Sequence, residues 1–207
     1  MKYLISLLVL LTSFSSAANL IKKGEFVQKD NAFPLVKLTT TMGDITVELD
    51  RRKAPITVNN FLGYVVDGGY EDTVFHRVEH DAEQERDFVI QGGGYDKDYD
   101  GAYMGPAIPN ESGNGLKNDM YTIAMAYQDR KPHSATRQFF FNMNDNDHLN
   151  PGRDWGFAVF GSVMEGYETL DKIMAVKTGF NDKIGYNFVP EKPVVILNIK
   201  VLEQVPL

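Results

Sequence analysis

From Leu35 onward the apolar residues recur with a period of two. Ile45, Val47 and Leu49 alternate with Thr46 and Glu48, the signature of a β-strand with one row of side chains on each face. Met42-Gly43-Asp44, just before them, reads as a hairpin turn. Val194 to Leu202, rich in Val, Ile and Leu, is a second clear strand. Helical spacing is brief. Val58, Phe61, Leu62 and Val65 fall at i, i+3, i+4 and i+7, with Pro55 near the start and Gly68-Gly69 ending the run. Leu170, Ile173 and Met174 share a face in a second short helix around Glu168 to Met174. Short strands, two short helices and Gly-rich turns make an all-β barrel or sandwich, and pattern alone does not choose between them.

The chain has 207 residues, 43% apolar and 24% charged, which is enough for one domain with a real core. Its formal charge of −7 argues against the basic stripe of a nucleic-acid surface and reads as simple solubility. The N-terminus has the three-part layout of a secretory signal peptide over residues 1–17. Lys2 gives a basic start, Leu4 to Leu11 form an apolar run, and Ser13 to Ala18 are small or polar. Cleavage is expected after Ala17 or Ala18. The apolar run is shorter than the roughly 20 residues that span a bilayer. Removing Lys2, the only charge in that segment, takes the chain from −7 to −8. With no Cys, there is neither a disulfide nor a lipid-anchored cysteine. Residues 18–33, polar and without clear period, read as a leader with partial disorder, and 34–207 as the single folded domain.

Four segments carry the chemistry: Phe75-His76-Arg77-Val78, Phe88-Val89-Ile90-Gln91-Gly92-Gly93-Gly94, Thr136-Arg137-Gln138-Phe139-Phe140-Phe141 and Phe157-Ala158-Val159-Phe160-Gly161. In this order they resemble the motifs of a cyclophilin, a peptidyl-prolyl cis/trans isomerase, closest to the bacterial periplasmic members, over roughly Leu35 to Leu202. The resemblance implies a closed eight-stranded antiparallel barrel capped by two α-helices. It also implies an isomerase for X-Pro bonds of exported proteins that assists their folding, without cofactor or metal. Its partners would be proline-containing unfolded or flexible polypeptides. The protein is expected to be periplasmic, monomeric and free of nucleic acid, with no transmembrane span after signal cleavage.

An X-Pro bond turns slowly because amide resonance sets a barrier of about 18–20 kcal/mol. A donor that favours a localised lone pair on the proline nitrogen lowers that barrier, and so does a dry socket that grips the flanking peptide. Arg77 matches the family's catalytic arginine, and a guanidinium offers a permanently charged, planar fork of N–H groups. Gln91 and Gln138 match the glutamines that orient this arginine and hold the peptide. Phe88, Val89, Phe140, Leu149 and Phe157 match the proline pocket; without the resemblance each would read as ordinary core. Ala126 and Tyr127 match the segment that pairs with substrate backbone like an added strand. Gly92-Gly93-Gly94 lacks the spacing and the Lys of a phosphate loop and reads as a site of close backbone packing.

The chain departs from the family at three places. His148 stands where the member that binds cyclosporin well has a Trp, and Phe157 stands where the family has a pocket His. Between Arg77 and Phe88 the family has about four residues; this chain has ten, Val78 to Asp87, a lengthening that costs little closure entropy. Glu79, Asp81, Glu83, Glu85 and Asp87 make the insertion acidic. It reads as a longer surface hairpin loop, with an acidic lip for basic clients as the alternative. Asp96-Lys97-Asp98-Tyr99-Asp100-Gly101 opens like a calcium loop but has Ala107 where an EF-hand needs Glu. His76, His80, His133 and His148 show no zinc-ligand spacing. A peptide-binding chaperone without catalysis is the rival from another class, and a lectin or calcium-adhesion domain is a weaker third.

Overall fold

The computed structural model describes residues 19–81 and 86–203. The expected signal peptide over 1–17 lies outside the described residues. Ten strands are present among them. The first five are β1 (Leu35–Thr40), β2 (Gly43–Leu49), β3 (Thr73–Asp81), β4 (Arg86–Asp96) and β5 (Thr122–Met125). The others are β6 (Phe139–Asn142), β7 (Val159–Glu165), β8 (Thr178–Asn181), β9 (Tyr186–Pro190) and β10 (Val194–Val201). The helices are α1, over residues 19–26, α2 (Pro55–Val66) and α3 (Tyr167–Met174).

Eight of the strands close into an antiparallel barrel in the order β1-β10-β3-β4-β6-β5-β7-β2, while β8 and β9 form a separate hairpin. The barrel alternative is therefore the correct one. Its interior follows from the period of two. Val36 faces Val47 and Leu38 faces Ile45 across β1 and β2, and all four are fully buried. Val58, Phe61 and Leu62 of α2 and Leu170 and Ile173 of α3 join the same core. Pro55 opens α2, where a missing N–H costs nothing. Both helices begin and end within a residue or two of the positions their spacing predicts.

β6 sorts three consecutive phenylalanines by face. Phe139 and Phe141 point inward at 0% exposure, Phe139 meeting Phe61 and Tyr70 edge-on at 5.6 and 5.5 Å. Phe140 points outward into a second apolar cluster. A strand buried on both faces reads as a continuous apolar run, which is why this segment shows no alternation.

Residues 19–33 are not the partly disordered leader that their polarity suggests. α1 lies so close to α2 that a Cβ on Gly24 would fall on the backbone oxygen of Asn59, and one on Gly63 would fall on that of Leu20. Arg51 fastens the segment behind α1. Its Nη1 donates to the carbonyls of Gln28 and Asn31, both at 2.8 Å, and its Nη2 to those of Val27 and Gly24, at 2.8 and 3.2 Å. Leu20, Ile21 and Val27 supply the apolar contact. Glycine contacts and one arginine replace the apolar stripe that would have revealed the helix.

The expected surface loop between Arg77 and Phe88 is in large part strand. The β3–β4 ladder continues through Val78–Ile90 and Glu79–Val89 to His80–Asp87 and Asp81–Arg86. His80 and Asp87 also pair at 2.9 Å across it.

Candidate active site

The outer face of β4, β6, β5 and β7 carries an apolar surface distinct from the barrel interior. Val89, Phe140, Ala124 and Val159 form its floor, with Phe88, Leu116, Ala126, Leu149 and Phe157 packed around them. The register makes this inevitable: Gln91 faces Phe140 across β4 and β6, and Phe140 faces Ala124 across β6 and β5. Phe157 stands edge-on to Phe140 at 5.4 Å and stacks on Tyr127 at 4.3 Å. His148 stacks on Phe88 at 5.5 Å, so the position that differs from the cyclosporin-binding relative forms part of the rim. The result is a cavity of about 300 Å³.

All but one of the residues expected from the motifs line that cavity: Arg77, Phe88, Val89, Gln91, Ala126, Tyr127, Phe140, Leu149 and Phe157. Gln138 lines an adjoining cavity of about 450 Å³ that shares Gln91, Ala126 and Tyr127 with the first. Gln91 Nε2 donates to Gln138 Oε1 at 2.8 Å, so the two glutamines form one unit between the cavities. A Cβ on Gly94 would lie 2.3 Å from Gln138 Nε2; the glycine leaves room for this pair. The N–H of Ala126 already donates to the carbonyl of Gln138 at 2.9 Å, so this group is not open to a substrate.

Arg77 faces Gln91 across β3 and β4. Its side chain is 32% exposed, and Nη2 lies 2.6 Å from Glu79 Oε2. His76, next to it, is 1% exposed and packs edge-on against Tyr95 at 4.9 Å. Burial pushes its imidazole down to about 4, so at neutral pH it adds no charge beside the arginine. Arg137, the other arginine of the motifs, belongs elsewhere. It is 3% exposed, lies 5.2 and 5.1 Å from the ring centroids of Tyr64 and Tyr70, and donates to the carbonyls of Gly69 and Tyr103.

Two features escape the sequence reading. The first is a chain of buried amides beneath the pocket. Asn118, Asn142 and Asn146 are all 0% exposed. Asn118 Nδ2 reaches the carbonyls of Leu149 and Phe157, Asn142 donates to Asn118, and Asn146 donates to Asn142 and to the carbonyl of Phe88. Three pocket segments are thereby tied to one another. The period-two row Asn142-Asn144-Asn146 was the available signal, but Asn is equally common in exposed turns. The second is Tyr186 of β9, which lines both cavities. In the Asp96–Gly101 loop, Lys183 sets its ammonium 2.7 Å from the Asp100 carboxylate and 2.7 Å from the Asp98 carbonyl, joining this loop to the β8–β9 hairpin.

Residues 35–201 match the family described as cyclophilin type peptidyl-prolyl cis-trans isomerase/CLD. The chain is 47% identical over 171 residues to peptidyl-prolyl cis-trans isomerase cyp18 of Streptomyces antibioticus, covering 81% of this chain and 98% of the relative. It is 41% identical over 173 residues to peptidyl-prolyl cis-trans isomerase B of Escherichia coli, covering 82% and 100%. A cyclophilin type peptidyl-prolyl cis-trans isomerase from Cryptosporidium parvum, a solved structure, shares the fold at a TM-score of 0.67 and 24% identity, over 84% and 99% of the two chains. With the family matched across nearly the whole barrel and the relatives covered almost end to end, this chain belongs to the cyclophilin-type peptidyl-prolyl cis-trans isomerases.

Proposed function

We propose that this isomerase acts on X-Pro bonds of exported proteins and assists their folding, with Arg77 as the donor to the twisted amide. One observation carries the site assignment: a guanidinium that is 32% exposed stands at the wall of a cavity of about 300 Å³ whose floor is apolar. The proline ring enters the socket of Val89, Phe140, Leu149 and Phe157. As the bond twists, conjugation with the carbonyl is lost and the lone pair localises on the proline nitrogen. An N–H of Arg77 donates to it, and this interaction strengthens only toward the transition state. Gln91 and Gln138 hold the peptide, and Tyr127 stacks on Phe157 at the edge of the socket. The reaction makes and breaks no covalent bond, so it needs neither nucleophile nor proton relay.

The export reading rests on the sequence of residues 1–18, and with it the placement in the periplasm. The substrate would be a flexible proline-containing polypeptide, bound by a monomer. Arg77→Ala should lower turnover of an Ala-Pro peptide by on the order of 10²–10³ while changing peptide affinity little. Near-native turnover in that variant would sink the assignment. N-terminal sequencing of protein from its native host should begin at Ala18 or Asn19; recovery of Met1 would count against export.

A further inference from the structure

Glu79 follows Arg77 by two residues on β3, and the strand's period sets both side chains on the outer face, with Val78 fully buried between them. Their partners across β4 are Val89 and Gln91, both in the wall of the cavity. Glu79 Oε2 lies 2.6 Å from Arg77 Nη2, and the carboxylate side chain is only 17% exposed. It belongs to the lengthened segment between Arg77 and Phe88, where His80 turns instead to Asp87 across the ladder.

We propose that Glu79 is a positioning residue for Arg77: it holds one terminal nitrogen of the guanidinium and leaves the other N–H groups to the twisted amide. The proposal rests on Arg77 being the donor. Arginine carries large rotamer entropy, and a partly exposed one samples many geometries. A short ion pair from the same strand restricts the guanidinium before substrate arrives, and preorganisation of this kind acts on the chemical step. The carboxylate also opposes the field of the guanidinium at the amide. That opposition is the smaller effect, because Arg77 lines the cavity and would donate at contact distance, while Glu79 is not among the lining residues. The glutamate therefore accelerates turnover.

The experiment measures kcat and KM for an Ala-Pro peptide by NMR exchange, without a coupled protease, in Glu79→Gln and Glu79→Ala. Both changes are repeated in an Arg77→Ala background, with circular dichroism and the urea midpoint as checks of folding. Glu79→Ala should lower kcat about tenfold with KM within about twofold of the parent, as contacting residues that act as one unit typically couple. Glu79→Gln, which keeps one acceptor oxygen and the same shape, should recover part of that loss. In the Arg77→Ala background the Glu79 changes should have no further effect. An unchanged or raised kcat in the folded Glu79 variants would overturn the proposal, the raised value marking the ion pair as a brake. An equal loss with and without Arg77 would also overturn it, since that is a purely structural effect. Failure of the donor assignment itself would show separately, as near-native turnover in Arg77→Ala alone.

Discussion

His76, on β3 beside Arg77, makes stability depend on pH over a defined window. Its ring is 1% exposed, and burial displaces its ionisation from 6.5 to about 4. Between these values the unfolded chain binds a proton that the folded chain refuses. The slope of unfolding free energy with pH is therefore positive across the window. The contribution is complete above pH 6.5, falls as the pH drops toward 4, and is flat below. At about 1.4 kcal/mol per tenfold change in proton activity, the full displacement is worth about 3 kcal/mol, a large part of a typical domain's 5–15 kcal/mol. Urea midpoints measured from pH 7 to pH 4 should fall more steeply for the parent than for His76→Gln. The slope is the readout, because the substitution also changes packing at every pH. An imidazole NMR titration gives the direct check, with a midpoint near 4 expected. Parallel loss of stability in the two proteins, or a ring that titrates near 6.5, would refute the reasoning.

The two faces of β6 should separate stability from binding. Phe141→Ala should cost about 3–5 kcal/mol while leaving the KM of the folded fraction unchanged, whereas Phe140→Ala should destabilise and raise KM together; the check is paired urea unfolding and kinetics. Arg51→Ala should loosen the segment behind α1 at a cost on the order of 2–3 kcal/mol, since several charged hydrogen bonds go at once. Limited proteolysis should then cut within residues 19–33, and a parent-like digestion pattern would count against the role given to Arg51. Cyclosporin should bind weakly and bind better to His148→Trp, because a broad indole with an N–H replaces a small imidazole at the rim; calorimetry on the two proteins decides it.

Much of the barrel was legible because its residues obey simple periods. Ile45, Val47 and Leu49 announced β2, and Val58, Phe61, Leu62 and Val65 announced α2. The pocket was legible only through motif order: nothing in the hydrophobicity of Phe140 distinguishes it from Phe139 or Phe141. The parts that stayed hidden share one physical property, which is that distant segments create them. Asn118 matters because it reaches Leu149 and Phe157, more than 30 residues further along the chain. Tyr186 matters because the β8–β9 hairpin brings it to the two cavities. α1 is held by Arg51 and by glycines of close approach, neither of which leaves a periodic trace.

The lengthened β3–β4 hairpin bears on the acidic-lip alternative. Of its carboxylates, Glu79 lies against the Arg77 guanidinium and Asp87 against the His80 ring, so both already face partners within the same hairpin. A carboxylate at contact distance from a cation presents to solvent a dipole more than a charge, and its reach into the surroundings shrinks accordingly. Glu79 is therefore not arranged as a free negative rim for basic clients. Continuing the ladder past Glu79 serves a different end. It extends β3 as a paired strand beyond Arg77, with ladder partners before and after that residue and a register shift between Phe75 and Arg77. Strands position side chains more tightly than loops do. The described part of the insertion thus continues the strand that carries Arg77, at the point where a shorter connection would already have turned.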